Sequence, residues 1–418
     1  NHKNEIKWVL SVIFDYVLGI QYNVNTSNID EIILSKDSRS ITINNFFFNQ
    51  SKADWLKVKS LPAEPLENYD LDQLPFDLNI IDSNLPIIYG KNNIIIKKNN
   101  IAIDIDIIGS AFFMLSRYEE YVVPIRDNHD RFPATASLAH KQGFLDRPII
   151  NEYIELLFTC MLSLWPNIQR IERASKIFVS ADVDLPYSRG TKSILHLIRQ
   201  LGVDTIKRQS LREAIRSIIN YFLSKNNNFS YDKYYQLFNW MMSVNEEVNN
   251  KLTFFFVADN PNNKMDPAYE LDENIIQKLL FDINKRGHQI GLHGSYNSYE
   301  SSSQINQEFI KLKDSLAKLN INQYQFGNRQ HFLRWKTPIT ARNLELAEIN
   351  YDTTLTFHDQ IGFRCGLCND YPFYDLEKNC QLNLIIRPLI IMDVSLFEKD
   401  YMSLKFDDSA LKLINKIK

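Results

Sequence analysis

The sequence predicts an α/β protein of two domains, and three observations predict it. Short apolar runs at 176–183, 252–257 and 289–292 recur through the C-terminal part. Helical patterns separate them: Ile305, Phe309, Leu312, Leu316 and Leu319 follow steps of four and three and share one helical face. At 418 residues the chain is long enough for two cores. Strands alternating with helices imply parallel βαβ units, arranged as a barrel or as a doubly wound sheet.

The N-terminal elements read as a mixed α/β region. Residues 8–20 form an apolar stretch interrupted by Asp15, too short to span a bilayer and with no small-residue cleavage pattern after it. An amphipathic core helix is the expectation there. The chain starts at Asn1 rather than Met, which leaves a removed signal open. Residues 41–48 are rich in Ile and Phe and read as strand, and 101–107 show the period-two alternation of a half-buried strand. A helix is expected over 109–121 and another over 151–164. Residues 62–86, rich in Pro, Asp and Leu without a period, read as a long surface connection. Pro166 and the polar stretch after it divide the chain into 1–170 and 171–418. A helical insertion is expected at 202–228, after the first strand of the second domain.

Composition narrows the function classes. Hydrophobic residues make up 44% and charged residues 23%, ordinary for a globular protein. The net charge of −3, with no basic run, argues against a nucleic-acid partner. No stretch reads as a transmembrane segment. Four cysteines are too few for a disulfide-built scaffold, so a reducing cytoplasm is the expected location. Cys365 and Cys368 form a Cys-x-x-Cys pair, but a zinc knuckle needs two more ligands, and Cys380 and His358 are the near candidates. Reduced thiols are expected.

In parallel α/β folds, functional groups sit at the carboxyl ends of strands. Asp182 with Asp184 and then His293 directly follow apolar runs, and Arg329 with His331 follow a more polar segment. A hydrolytic metal site needs about three protein ligands and an open position. One carboxylate and two imidazoles suit zinc, and a second carboxylate can take a proton from water. Taken singly, Asp-Val-Asp is a solvated strand end, His293 a loop histidine and Arg329 a surface ion pair. Their joint order favours a site.

Four ordered motifs carry a resemblance. They are Phe178-Val179-Ser180-Ala181-Asp182-Val183-Asp184, Thr253-Phe254-Phe255-Phe256-Val257, Gly287-His288-Gln289-Ile290-Gly291-Leu292-His293 and Arg329-Gln330-His331. From about Lys176 onward the chain resembles the polysaccharide deacetylases of the NodB-homology group, carbohydrate esterase family four. The resemblance implies a distorted (β/α) barrel, preceded here by a mixed α/β accessory domain, and hydrolysis of an N- or O-acyl group on a sugar. It implies one aspartate as base and the other as metal ligand. Motif order assigns Asp182 as base and Asp184 as ligand, with the exchange of roles left open.

Two departures from the family pattern stand out. The usual His-x-x-x-His reads His293-Gly294-Ser295-Tyr296-Asn297, so Asn297 replaces the second imidazole and His331 is the expected substitute ligand. The late strand that ends in a general-acid histidine offers only Asp393. A bacterial subgroup with His-x-Ser-Tyr, Arg-Gln-His and Gly-Phe-Arg segments shows the same combination, the last present as Gly362-Phe363-Arg364. The 112–120 and 127–137 stretches resemble that subgroup's accessory domain. Within them Arg117, Glu119 and Glu120 read as a helix-surface charge cluster or as part of a substrate cleft.

The resulting expectation is a cytoplasmic, Zn2+-dependent deacetylase of bacterial surface-polysaccharide biosynthesis. Asp182 and Arg329 form the catalytic set, and Asp184, His293 and His331 hold the metal. Tyr296, Asn297, Trp335 and Arg364 are the expected substrate contacts: the aromatic rings stack on sugar or equally serve as barrel-rim packing, and Arg364 binds a phosphate or carboxylate or equally forms a structural ion pair. The substrate is an acylated sugar, nucleotide-sugar or other glycan. The rival reading is a non-catalytic carbohydrate-binding protein on a decayed deacetylase scaffold.

Overall fold

The computed structural model describes residues 2–24, 30–80, 82–174, 176–262, 264–405 and 408–417. The chain is a mixed α/β protein that divides into two compact units. The first comprises Asn1–Ala174, Phe332–Glu345 and Asn350–Lys418; the second comprises Ser175–His331 and Leu346–Ile349. Among the described residues, no helix is long and apolar enough to cross a membrane.

The first unit opens with α1 (Lys3–Ser11), which runs on through wider turns to Leu18. Trp8, Val9, Val12 and Ile13 lie within a few per cent of full burial, and the Trp8 indole N–H donates to the Pro372 carbonyl at 3.0 Å. A four-stranded sheet follows. It is built from β1 (Glu31–Lys36), β2 (Arg39–Asn44), β3 (Gly90–Lys97) and β4 (Asn100–Ile105), in the order β1-β2-β4-β3. β2 and β4 run parallel at its centre, with Ile41 beside Ile101 and Ile43 beside Ile103. All four isoleucines are buried, as the period of two requires.

The segment at 109–121 is not one helix. α2 (Ile107–Leu115) and α3 (Tyr118–Val122) are separated at Arg117, whose φ of +56° lies in the left-handed region. A non-glycine residue held there needs compensation. Arg117 has it: the guanidinium donates to the Met114 carbonyl at 2.8 Å and to Glu120. Within 62–86 a short ribbon pairs Asn68–Asp70 with Asn84–Pro86. Ile81, in that stretch, lies outside the described residues. α4 (Ile149–Leu164) packs against β2.

The second unit is a row of four parallel strands with helices between them. β5 (Val179–Val183) pairs with β6 (Leu252–Val257), β6 with β7 (Gln289–Gly294), and β7 with β8 (Gly327–Gln330). The insertion between β5 and β6 is helical: α5 (Ile194–Gly202), α6 (Leu211–Ser224) and α7 (Lys233–Glu247). α8 (Asn274–Lys285) and α9 (Ser302–Lys318) make the next two crossovers and pack on β7. α9 buries Ile305, Phe309, Leu312 and Leu316, and the Ser301 side chain caps it by accepting from the Gln304 N–H.

The remainder of the first unit adds β9 (Tyr351–Asp352), β10 (Tyr371–Asp375) and β11 (Cys380–Ile386). β11 runs parallel to β9 and antiparallel to β10.

Candidate metal centre

Strand register in the second unit sets the site. Asp182 on β5 is level with Phe255 on β6 and Gly291 on β7; one pleat further along, Val257, His293 and Arg329 are level with one another. Level residues in a parallel sheet face the same side, and so do residues two apart. Ser180, Asp182, Phe255, His293 and Arg329 therefore project from one face near the carboxyl ends of their strands.

Gly291 makes that arrangement fit. A Cβ there would come within 2.5 Å of the Phe255 ring and 2.8 Å of the Gly327 carbonyl oxygen. The empty position admits the ring, and the Arg329 guanidinium lies over it at 4.9 Å from the centroid. Its Nη1 is then 3.1 Å from Oδ1 of Asp182, and its Nη2 donates to the Ser180 hydroxyl at 2.7 Å. Gly294 is equally constrained, because a Cβ would meet the Gln330 side-chain amide at 2.6 Å.

Asp184, His293 and His331 bring one potential ligand atom each to within 4.8 Å of the others. Oδ1 of Asp184 is 3.7 Å from Nε2 of His293 and 3.8 Å from Nε2 of His331. Both imidazoles are held from behind. Nδ1 of His293 donates to the Arg329 carbonyl at 2.7 Å, and Nδ1 of His331 donates to Oδ1 of Asp266 at 3.0 Å. A carbonyl or carboxylate oxygen can only accept, so each Nδ1 carries a proton, and in the neutral ring the lone pair is then on Nε2. That tautomer is the one a metal-binding histidine needs. Burial lowers the His293 pKa below the usual imidazole value, with the nearby Asp182 charge opposing it, which favours the neutral ligand form. The donor set and its backing therefore fit a divalent cation of the zinc type. Among the described residues, these three form the one group of His, Cys, Asp and Glu side chains with this spacing. Cys365 is buried and Cys368 exposed.

Asp266 is the residue of this cluster that the sequence reading omits. Its carboxylate is buried and accepts from three groups: His331 Nδ1, the Tyr296 N–H at 2.7 Å and the Asn262 N–H at 3.2 Å. It thereby ties the His331 ring to the loop that follows His293. The available signal was its place in the loop after β6, at the same carboxyl edge as the other clusters. Glu308 of α9 supports that loop too, accepting from the Ser295 N–H at 3.1 Å and from the Ser295 hydroxyl. Burial pushes its carboxyl up to about 7. Tyr269 is buried nearby, and its hydroxyl oxygen accepts from the Val257 N–H at 2.8 Å. Burial, with the charges of Asp184 and Asp182 behind it, raises the phenol well above its ordinary value.

The other residues singled out in the sequence are distributed between the units. Tyr296 is half-buried and Asn297 exposed, both in the loop after His293. Trp335 and Arg364 belong to the first unit. The Trp335 ring is buried edge-on to Phe373, and its N–H donates to Thr337 at 2.9 Å. Arg364 is buried, forms a two-pronged pair with Glu120 at 2.7 and 2.8 Å, and donates to the Thr356 carbonyl. Arg117, Glu119 and Glu120 are likewise buried rather than spread on a helix surface, because Arg364 gives Glu120 a second counter-charge.

Residues 1–166 match the model of a family of unknown function, DUF7033. No curated protein matches the chain. A solved structure described as a polysaccharide deacetylase from Mycobacterium smegmatis is similar at 12% identity and a TM-score of 0.32. The match covers 57% of this chain and 71% of that one.

Proposed function

We propose that the chain is a metal-dependent hydrolase, with Zn2+ as its cofactor, that removes an N- or O-acyl group, most simply acetyl, from a sugar. In this reading the parallel strands belong to a distorted (β/α) barrel. The chain works in bacterial surface-polysaccharide assembly, on a nucleotide- or lipid-linked sugar or a glycan in the cytoplasm. The observation that carries the reading is the convergence of two backed imidazole Nε2 atoms on one Asp184 oxygen. A structural histidine has no need of a neighbour placed this way.

Asp184, His293 and His331 would hold the cation, which supplies Lewis acidity to the acyl carbonyl and acidifies a water. Asp182 accepts a proton from the attacking water. Arg329 fixes the direction of the Asp182 carboxylate, so that one oxygen is oriented for the transfer. Asp266 holds the His331 ring in one rotation. Tyr296 and Asn297, on the rim, contact the sugar.

The test is the metal content of protein purified without added metal, wild type beside His331→Ala, followed by acetate release from acylated sugar nucleotides. Near-stoichiometric zinc that the variant loses, together with turnover, supports the hydrolase. No metal in the wild type after zinc is supplied overturns it in favour of a carbohydrate-binding module. The replacement of the family's second histidine by Asn297 is the feature that favours the module.

A further inference from the structure

The helical insertion of the second unit carries an apolar face that its own packing does not use. α5 turns Leu197 inward, and α6 turns Ala214 and Asn220 inward, so each helix has its packing side. On α6, Leu211, Ile215, Ile218 and Phe222 recur at steps of four, three and four, which aligns them in one stripe. Leu211 is 75% exposed, Ile215 58% and Phe222 64%; on the preceding segment Ile198 is 60% and Ile206 79% exposed. Single exposed apolar residues are ordinary, but an aligned stripe on α6, with further exposed apolar residues on the segment before it, points to a binding surface.

Charge identifies what covers it. Eight of the chain's 47 Lys and Arg and two of its 50 Asp and Glu lie between 189 and 225, a net +6 in that stretch against −9 for the rest. Arg199, Lys207, Arg208 and Arg212 are exposed beside the apolar stripe. A helix with large apolar side chains on one face and Lys and Arg on the other is the pattern that lies in the plane of an anionic lipid surface. The same face on a second copy of the chain would set +6 against +6, which opposes self-pairing.

We propose that α5 and α6 form a monotopic docking element for an anionic phospholipid surface. The stripe enters the acyl boundary, and the flanking Arg and Lys meet the phosphates. α5 and α6 belong to the same unit as the candidate metal centre. The docking proposal stands independently of whether that centre holds a cation.

The test is flotation of the full chain with two kinds of vesicle: phosphatidylcholine alone, and phosphatidylcholine with about a third phosphatidylglycerol. The expected result is binding to the anionic vesicles that is at least about tenfold weaker on the neutral ones and falls with added salt. Arg212→Gln weakens it about fivefold. The double variant Ile215→Asp, Phe222→Asp loses it, with unchanged circular dichroism and melting because both side chains are exposed. Three outcomes overturn the proposal: no flotation of the wild type, equal flotation on both vesicles, and a dimer seen by light scattering that the double variant abolishes. The last would assign the face to a second copy.

Discussion

Arg329, near the end of β8, reaches across two intervening strands to Asp182 on β5, with 3.1 Å between Nη1 and Oδ1. The same guanidinium donates to Ser180 and lies over Phe255. A planar fork satisfies all three constraints, whereas a lysine ammonium is a single point of charge. Arg329→Lys should therefore keep the metal content of the wild type and lower kcat about 10- to 100-fold. Metal analysis beside steady-state acetate release checks it; an unchanged kcat would remove Arg329 from the catalytic set.

Gly291 is the position that lets this bridge form. In Gly291→Ala the new methyl meets Phe255 and the Gly327 carbonyl, and overpacking of this kind costs about 1–3 kcal/mol. Urea unfolding should show that loss. Adding Phe255→Leu makes room and should recover part of the stability. It should not recover activity, because the guanidinium has lost the ring it rests on.

The uneven legibility of the chain has physical causes. β6 and β7 are legible because buried strands read as short apolar runs, β5 because the apolar run at 176–183 covers it although it is an edge strand, and Asp182, Asp184 and His293 are legible as the polar residues near the carboxyl ends of those runs. The α4 helix is legible for its length and its apolar content. β1 and β3 are not, because both are edge strands without a buried residue, and polar residues interrupt their period. The helix break at Arg117 is invisible in a pattern of apolar residues, since it depends on a guanidinium that pairs with Glu120. Asp266 is hidden for a related reason: its importance comes from an acceptor position against His331, 65 residues further on, and not from any spacing in its own loop.

Asp266 therefore offers a test that does not touch a ligand. Removal of the group that fixes a metal-binding histidine typically weakens the metal about 10- to 100-fold. Asp266→Ala should show that loss in a competition titration with a chromophoric chelator. Asp266→Asn, which keeps one acceptor atom for His331 Nδ1, should lose less. An Asp266→Ala variant with wild-type affinity would show that the rotation of His331 is set elsewhere.

The Arg117–Glu120–Arg364 cluster predicts how the first unit responds to acid. Burial pushes the Glu120 carboxyl up, but Arg364 and Arg117 more than reverse this and leave it at about 2, below the ordinary 4.5. A carboxyl whose pKa is lower folded than unfolded stabilises the fold above the unfolded value. That stabilisation is lost as the pH falls from about 4.5 towards 2. Glu120→Gln leaves two buried guanidiniums without their shared counter-charge, so at pH 7 it should cost about 3–5 kcal/mol. The difference in melting temperature between wild type and variant should be full at pH 7 and shrink steadily below pH 4.5. A difference that stayed constant down to pH 2 would mean that packing, and not the ionised Glu120, holds this cluster together.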